Sequence, residues 1–342
     1  MPKYIGMDVH SKTCMFVVVD EKGKELIAQR VNTSEGEILK FVRSIPRKKA
    51  LAFEESNLSK WLYPILKDEV DELVICNPAY VIRKPGPKND YSDTVHLAQQ
   101  LRGGFLSSVF HADHFFSELR TLVSAYEDVT RQITSEKNRY KALFRAQAQE
   151  ASGKKIYRDL DRIQSLPNEV HQFVGRTLFD QIRLLEEIRA DYVKQFEKYV
   201  KKYPEIQALT SLPGISTVRA TMIAAIVISP DRFENKHKFW SYSMLVRHDR
   251  QSDGRSYGKV TIRANATLKT IFIGAAEKAL EGDSSFRKYY DQLREKGLDH
   301  KAARKNVARK IAAISLAIMR TKKTYEEDYE VKKLEKSKLK AS

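Results

Sequence analysis

Four carboxylates in the N-terminal third stand where an acidic side chain calls for an explanation. Asp8 and Glu54 each close an apolar run, residues 4–9 and 50–54, and Asp90 and Asp93 stand three apart at a predicted helix start. Residues three apart share a helix face, so Asp90 and Asp93 can address one cation. Brought together without compensation, four such charges repel and take up protons; divalent cations remove that penalty, and Mg²⁺ (or Mn²⁺) favours hard oxygen ligands of this kind. Two such ions can clamp the attacking and leaving oxygens of a phosphodiester. Acidic residues number 44 of 342, so some fall at strand ends by chance. The element order has to decide whether these four converge.

Histidines offer a rival site, because Asp8-Val9-His10, Asp93-Thr94-Val95-His96 and His111-Ala112-Asp113-His114 all set nitrogen beside oxygen. No third and fourth soft ligands cluster with them, and solvated His–Asp pairs are commonplace, so no dedicated zinc site is expected. The two cysteines, Cys14 and Cys76, sit inside apolar runs and are expected as buried thiols. Further along, Gln251-Ser252-Asp253-Gly254-Arg255-Ser256-Tyr257-Gly258-Lys259 sets serines among glycines and cations. There a hydroxyl could attack a phosphate while Arg and Lys stabilise the charge, although composition alone leaves this segment a turn. Leu212-Pro213-Gly214-Ile215-Ser216 reads as the tight turn of a helix-hairpin-helix, whose following helix start can hold a phosphate without reading sequence. An αα turn with no ligand explains it equally well.

The elements that must position these groups follow from periodicity. Three apolar or β-branched runs, 4–9, 14–19 and 25–31, read as an antiparallel meander, the last two joined by Asp20-Glu21-Lys22-Gly23-Lys24. Ser34-Glu35-Gly36-Glu37 is a capping-box pattern that opens a helix toward Arg43. A strand at 50–54, a helix at 58–67, a strand at 72–76 and a helix from Asp90 complete the order β-β-β-α-β-α-β-α. Three antiparallel strands followed by two parallel crossovers is the element order of the ribonuclease H-like (RuvC-like) α/β fold. In that fold the first and fourth strands are neighbours, which brings Asp8 and Glu54 together.

Beyond Phe115 the pattern turns helical. Leu119, Leu122, Tyr126, Val129, Ile133, Tyr140 and Leu143 follow 3-4 spacing, and after a polar break Leu178, Ile182, Leu185, Ile188, Tyr192, Phe196 and Tyr199 make a second stripe. Two antiparallel helices are predicted, a long helical hairpin or coiled coil whose length also suits a dimer arm. A mainly helical C-terminal domain with the helix-hairpin-helix follows, and then a tail dense in Lys and Glu. The expected domains are therefore 1–112 with the ribonuclease H fold, 113–203 as the arm, 204–320 as the C-terminal domain, and 321–342 as a charged tail.

Lys and Arg total 61 against 44 Asp and Glu, a formal net charge of +17, which suits a partner made of phosphates and makes nucleic acid the leading class. With 42% hydrophobic residues the chain has material for real cores, which excludes wholesale disorder. The N-terminal Met1-Pro2-Lys3-Tyr4 does not lead into the long apolar core of a signal peptide, and the longest apolar stretch, around Met222 to Ile228, is far short of a membrane span, so a cytoplasmic protein without a membrane partner is expected.

As a set, these motifs resemble one family: the DEDD transposases of the insertion sequence one-ten type, which join a RuvC-like N-terminal domain to a C-terminal serine transposase domain. The N-terminal marks are Ile5-Gly6-Met7-Asp8-Val9-His10-Ser11-Lys12, Ala52-Phe53-Glu54 and Lys88-Asn89-Asp90-Tyr91-Ser92-Asp93. The C-terminal marks are Leu212-Pro213-Gly214-Ile215, Arg232-Phe233, and the stretch from Ser252 to Asn265-Ala266-Thr267-Leu268-Lys269. The resemblance implies that Asp8, Glu54, Asp90 and Asp93 are a metal-binding catalytic tetrad and that Ser252 is a nucleophile forming a phosphoserine link to DNA. Three departures stand out. Glu55-Ser56-Asn57 replaces a small residue, Thr and Gly, which leaves Glu55 as a substitute for Glu54. The family's Ser-Gly is stretched to Ser252-Asp253-Gly254, and its Gly-Leu-x-Pro has become Leu245-Val246-Arg247-His248, which leaves Ser256 as an alternative nucleophile.

What the resemblance further implies is transposition, a DNA recombination in which a structured bridge RNA pairs with donor and target DNA. Base pairing then reads sequence while the protein holds backbones. Lys12, Lys88, Gly214, Arg255, Lys259, Arg263 and Lys269, lying within or beside the motifs, are the expected nucleic-acid contacts. A homo-oligomer is expected, a dimer or a tetramer of two dimers, in a bacterial or archaeal cytoplasm beside the nucleoid. The rival readings are a RuvC-like junction nuclease that uses water, and an RNA- or DNA-binding scaffold with decayed chemistry.

Overall fold

The computed structural model describes residues 1–46, 48–78, 81, 89–111, 116–252, 255–260 and 264–327. The chain divides into two compact units, Met1–Asp113 and His114–Ser342.

The first unit is built on a five-stranded sheet of order β3-β2-β1-β4-β5. Strands β1 (Lys3–Val9), β2 (Thr13–Val19) and β3 (Glu25–Asn32) form the antiparallel meander, while β4 (Lys49–Glu54) pairs parallel to β1 and β5 (Glu72–Cys76) parallel to β4. With helices α1 (Glu35–Ser44), α2 (Ser59–Leu66) and α3 (Asp90–Arg102), this is a ribonuclease H-like arrangement, as the element order predicted. Alternation along each strand sorts the core onto two faces. Ile5, Met7, Phe16, Val18, Leu51, Phe53 and Ile75 pack with Ile38, Phe41 and Val42 of α1 and Leu62 and Leu66 of α2. Tyr4, Ala50, Ala52, Val74 and Cys76 face Leu97 and Leu101 of α3, and Met15, Val17 and Val19 meet its Ala98. Apolar side chains on both faces explain why β2 and β4 read as continuous hydrophobic runs, whereas edge strand β3 is exposed except at Val31.

The helices end where their caps say. Ser34 accepts a hydrogen bond from the Glu37 N–H to start α1, as the capping box predicted. At its other end the buried Lys49 ammonium donates to the carbonyls of Val42 and Ile45, a cation placed on the negative end of the helix. Asn89 caps α3 by accepting from the N–H groups of Tyr91 and Ser92.

The second unit opens with the expected pair of long helices, α4 (Phe116–Arg145) and α5 (Glu169–Lys202). They run antiparallel, since Phe116 meets Tyr203, Tyr126 meets Phe196 and Tyr140 meets Phe179. Tyr140, Phe144, Ile156, Ile163, Leu166, Leu178, Phe179 and Ile182 form the core at the end where the connecting segment folds back. Ile188, placed by its spacing in the buried stripe, is exposed, and so are Val170, Phe173, Val174 and Leu184.

Helices α6 (Pro204–Thr210) and α7 (Thr217–Val227) flank the Leu212–Ile215 turn, as the helix-hairpin-helix reading predicted. Gly214 has φ +82°, and a Cβ there would come within 2.1 Å of the Ala275 carbonyl in α9 (Ala266–Ala279). Close packing against a neighbouring helix therefore accounts for this glycine without a phosphate. Helix α8 (Lys236–Tyr242) leads to a two-stranded hairpin, β6 (His248–Ser252) and β7 (Arg255–Val260), where composition suggested only a turn. Helices α10 (Ser285–Glu295) and α11 (His300–Thr321) complete the unit, α11 burying Ala303, Val307, Ala308, Ile311, Ala312 and Leu316. No described helix is long and apolar enough to cross a membrane.

Candidate functional site

Strand parity decides which side chains meet at the sheet's carboxyl ends. In β1, Tyr4, Gly6 and Asp8 share the face that α3 covers, and in β4 Ala50, Ala52 and Glu54 do. The parallel register pairs Met7 with Phe53, so Asp8 and Glu54, each one residue on, end neighbouring strands on one face. Helix α3 comes close enough to reach them because position 6 is glycine. A Cβ there would lie 2.3 Å from the Thr94 carbonyl oxygen and 2.9 Å from the Ala98 nitrogen, both backbone atoms of α3. That approach sets the first turn of α3, with Asp90 and Asp93, beside the end of β1.

Asp8, His10 and Asp90 each offer one ligand atom, and these atoms all lie within 4.8 Å of one another. His10 Nε2 stands 3.1 Å from Asp8 Oδ2 and 3.5 Å from Asp90 Oδ1. The other Asp90 oxygen accepts from Arg30 of β3 at 3.1 Å. The Arg30 hydrogen bond holds the Asp90 carboxyl below the usual carboxylate range, with the nearby His10 adding to it and partial burial opposing it. The backbone of His10 is held in place, its N–H donating to the Thr13 carbonyl and its own carbonyl accepting from Thr33 Oγ1. Side-chain exposures of 31%, 54% and 38% for Asp8, His10 and Asp90 leave the group open to a ligand from solvent.

This compact group contains two of the four predicted carboxylates. Glu54 lies next door at the end of β4, and its carboxylate, after burial, helps push the Cys76 thiol up to about 12. Asp93 is exposed one turn beyond Asp90. Glu55, the substitute considered from sequence, leads away from this face: its N–H donates to the Cys76 carbonyl and its carboxylate is 3.7 Å from His111 Nε2. His10 was visible in sequence only as a weak Asp-x-His pair, and Arg30 carried no signal, being 60 residues from the aspartate it binds. Lys12 is exposed between β1 and β2, its carbonyl accepting from the Thr33 N–H.

In the second unit, hairpin register pairs Ser252 with Arg255 and Gln251 with Ser256, so the two candidate serines occupy different rungs. The side chains of Ser252, Ser256 and Lys259 lie outside the described residues, as do Lys88, Asp253, Gly254, Arg263 and the tail beyond residue 327. Arg255 is exposed, and Lys269 is exposed in the first turn of α9. At the foot of β6 the Ser241 hydroxyl and His248 Nε2 are 3.0 Å apart.

Comparison with known proteins adds to this geometry. Residues 5–147 match the DEDD transposase family of the IS110 type, and residues 206–291 match the transposase family IS116/IS110/IS902. The chain is similar to "Putative transposase y4qE" of Sinorhizobium fredii, 23% identical over 287 residues that cover 80% of this chain and 70% of that protein. It is also similar to the "Insertion element IS110 uncharacterized 43.6 kDa protein" of Streptomyces coelicolor, 25% identical over 151 residues, 44% of this chain and 37% of the other. Two matches to one kind of transposase, in order along a chain whose first unit has the ribonuclease H-like sheet, converge on one assignment: the chain belongs to the IS110 family of transposases, enzymes that cleave DNA and transfer its strands.

Proposed function

We propose that this transposase cuts and rejoins DNA through a phosphoserine at Ser252, with Mg²⁺ held by the acidic tetrad and a structured bridge RNA choosing the sites. The observation that carries the reading is the meeting of Asp8 and Asp90, 82 positions apart, with ligand atoms inside one 4.8 Å group. Their donor set fits a divalent cation: hard carboxylate oxygens from Asp8 and Asp90, with Glu54 ending the adjacent strand and Asp93 on the next turn. Once bound, such an ion stabilises the charge that develops on phosphate oxygens during strand cleavage. Asp8 and Asp90 hold these positions because β1 and α3 are packed backbone to backbone at Gly6. His10 bridges the two carboxylates through Nε2, and Arg30 orients Asp90.

In the covalent step the Ser252 oxygen forms a bond to phosphorus as the strand's P–O bond breaks, the serine proton ending on the departing hydroxyl. A hydroxyl of the exchanged strand then attacks the phosphoserine and releases Ser252, so no phosphodiester energy is lost. Arg255, paired with Ser252 in the hairpin, is suited to the phosphate's charge. The net charge of +17 supports backbone contacts to both DNA and RNA. We assign the helix pair, 113–203, to homo-oligomer formation and 204–320 to the serine chemistry. The apolar stripe left exposed on α5 supports that division.

The test is a denaturation-resistant protein–DNA adduct formed by the full chain with Mg²⁺ and whatever RNA co-purifies at high salt. The adduct is expected to vanish in Ser252→Ala and Asp8→Asn and to persist in Ser256→Ala. Cleavage without any adduct would instead establish water as the nucleophile. A single RNA species in the purified protein is expected, and a heterogeneous pool would remove the guide.

A further inference from the structure

Four cations converge in the second unit that no motif picked out as a group. Helix α11 contributes Lys305 and Arg309, one turn apart on one face, a like-charge spacing that is unfavourable in an isolated helix. Arg309 is fixed against α8, since the Trp240 indole N–H donates to its carbonyl at 2.8 Å and its guanidinium lies 6.0 Å from the Trp240 ring. Hydrogen bonds then draw the other two cations to the same place. The Leu245 N–H donates to the Trp240 carbonyl, folding the 243–247 segment back on α8 and placing Arg247 at the foot of β6. The Asn265 N–H donates to the Tyr242 carbonyl, which seats the start of α9, with Lys269 in its first turn, at the end of that same helix.

Among the described residues none of the four has an ion pair with a carboxylate, although this unit is rich in Lys–Glu and Arg–Asp pairs. Arg309 Nε is buried without a hydrogen-bond partner, and one terminal nitrogen reaches only the neutral Asn306. Partial burial pushes the Lys305 ammonium below its ordinary range, and Arg247, Arg309 and Lys269 add to that by repulsion. Cations held together without compensation are what an anion would relieve. Their chemistry, two guanidiniums and two ammoniums, suits phosphate oxygens.

We propose that Arg247, Lys269, Lys305 and Arg309 form a phosphate-binding site that holds the backbone of a nucleic-acid strand at the foot of the β6–β7 hairpin. The proposal rests on the reading of that hairpin as the part that meets DNA. It adds Arg247, Lys305 and Arg309 to the contact set expected from sequence, in which Lys269 already stood. Contacts of this kind position a strand and carry no base preference.

The experiment measures the affinity of the full-length protein for a labelled DNA duplex and for a single-stranded RNA, both of arbitrary sequence, across a salt series. Lys305→Gln/Arg309→Gln should reduce the slope of log affinity against log salt by about 0.9 for each lost duplex contact, or about 0.7 for a single strand. Because Arg309 also packs on Trp240, the exposed pair Arg247→Gln/Lys269→Gln is the second variant, with the same expected change and an unaltered urea midpoint. A change with the duplex alone assigns the site to DNA, with the RNA alone to the guide, and with both to either strand. An unchanged slope in the two variants overturns the proposal, and so does an equal change in Lys194→Gln/Lys198→Gln on α5, which would reduce the effect to net charge. None of these readings requires cleavage, so a failure here leaves the phosphoserine test standing, and a missing adduct leaves this site standing.

Discussion

Gly6 is the residue on which the acidic site depends most directly, although it carries no functional group. Its missing side chain lets the backbone of α3 sit against β1, and the atoms a methyl would strike, the Thr94 carbonyl and the Ala98 nitrogen, cannot swing aside as a flexible side chain could. Gly6→Ala is therefore expected to lift α3 away from β1 at a cost of about 1–3 kcal/mol, the range for overpacked cores. Because α3 carries Asp90, the same change should weaken Mn²⁺ binding, while a cavity-forming change far from the site, such as Leu62→Ala, should cost stability and leave Mn²⁺ affinity intact. Urea melts and Mn²⁺ titrations check both, and a Gly6→Ala protein with wild-type affinity would refute the argument. Parity makes a related distinction between Glu54 and Glu55. One residue along a strand reverses the face, so Glu54 stays with Asp8 while Glu55 meets His111.

At the level of single elements, α5 has more apolar surface than its partner covers. Gly175, Leu178, Phe179, Ile182 and Phe196 are buried within the unit, while Val170, Val174, Thr177, Gln181, Leu184 and Ile188, spaced 4-3-4-3-4, make a second stripe. Leu184 is 57% exposed, and Phe173 beside the stripe is 71% exposed. Alternating spacing of this kind is the seam of a coiled coil, and covering it with a second copy of α5 would remove that surface from water. Leu184→Asp/Ile188→Asp is expected to shift the sedimenting species from dimer to monomer and to leave the melting temperature of the monomer unchanged. A wild-type protein that sediments as a monomer at micromolar concentration would end this reading of the arm.

For the molecule as a whole, the separation into two units carries its own prediction. The sheet of Met1–Asp113 is covered on both faces by helices of the same unit, and its described core clusters are built from residues of that unit. Residues 1–113 expressed alone should unfold in one cooperative urea transition and bind Mn²⁺ with the affinity of the full chain. A broad transition without a folded baseline would show that the sheet needs the second unit. The charges divide in the same way: the first unit brings the carboxylates of Asp8 and Asp90 together, whereas the second brings together Arg247, Lys269, Lys305 and Arg309, the group proposed above to meet phosphate.

Sequence by itself determined the local content of this protein. Apolar and β-branched runs placed β1 to β5, Ser34 and Glu37 placed the start of α1, and 3-4 spacing placed the two long helices, because each of these depends on residues within a turn or two. Motif spacing pointed to Asp8, Glu54, Asp90 and Asp93, and to the Leu212–Ile215 turn between two helices. Composition misjudged the segment around Ser252, where two polar strands carry no apolar run to announce them and only pairing with each other makes a hairpin. What tertiary structure alone decided are the meetings across long stretches of chain: Arg30 with Asp90, His10 between two carboxylates, and Arg247, Lys269, Lys305 and Arg309 around α8. Such contacts follow from sheet register and from which helix face finds a partner. Those choices are settled by packing the whole unit, so no window of neighbouring residues contains them.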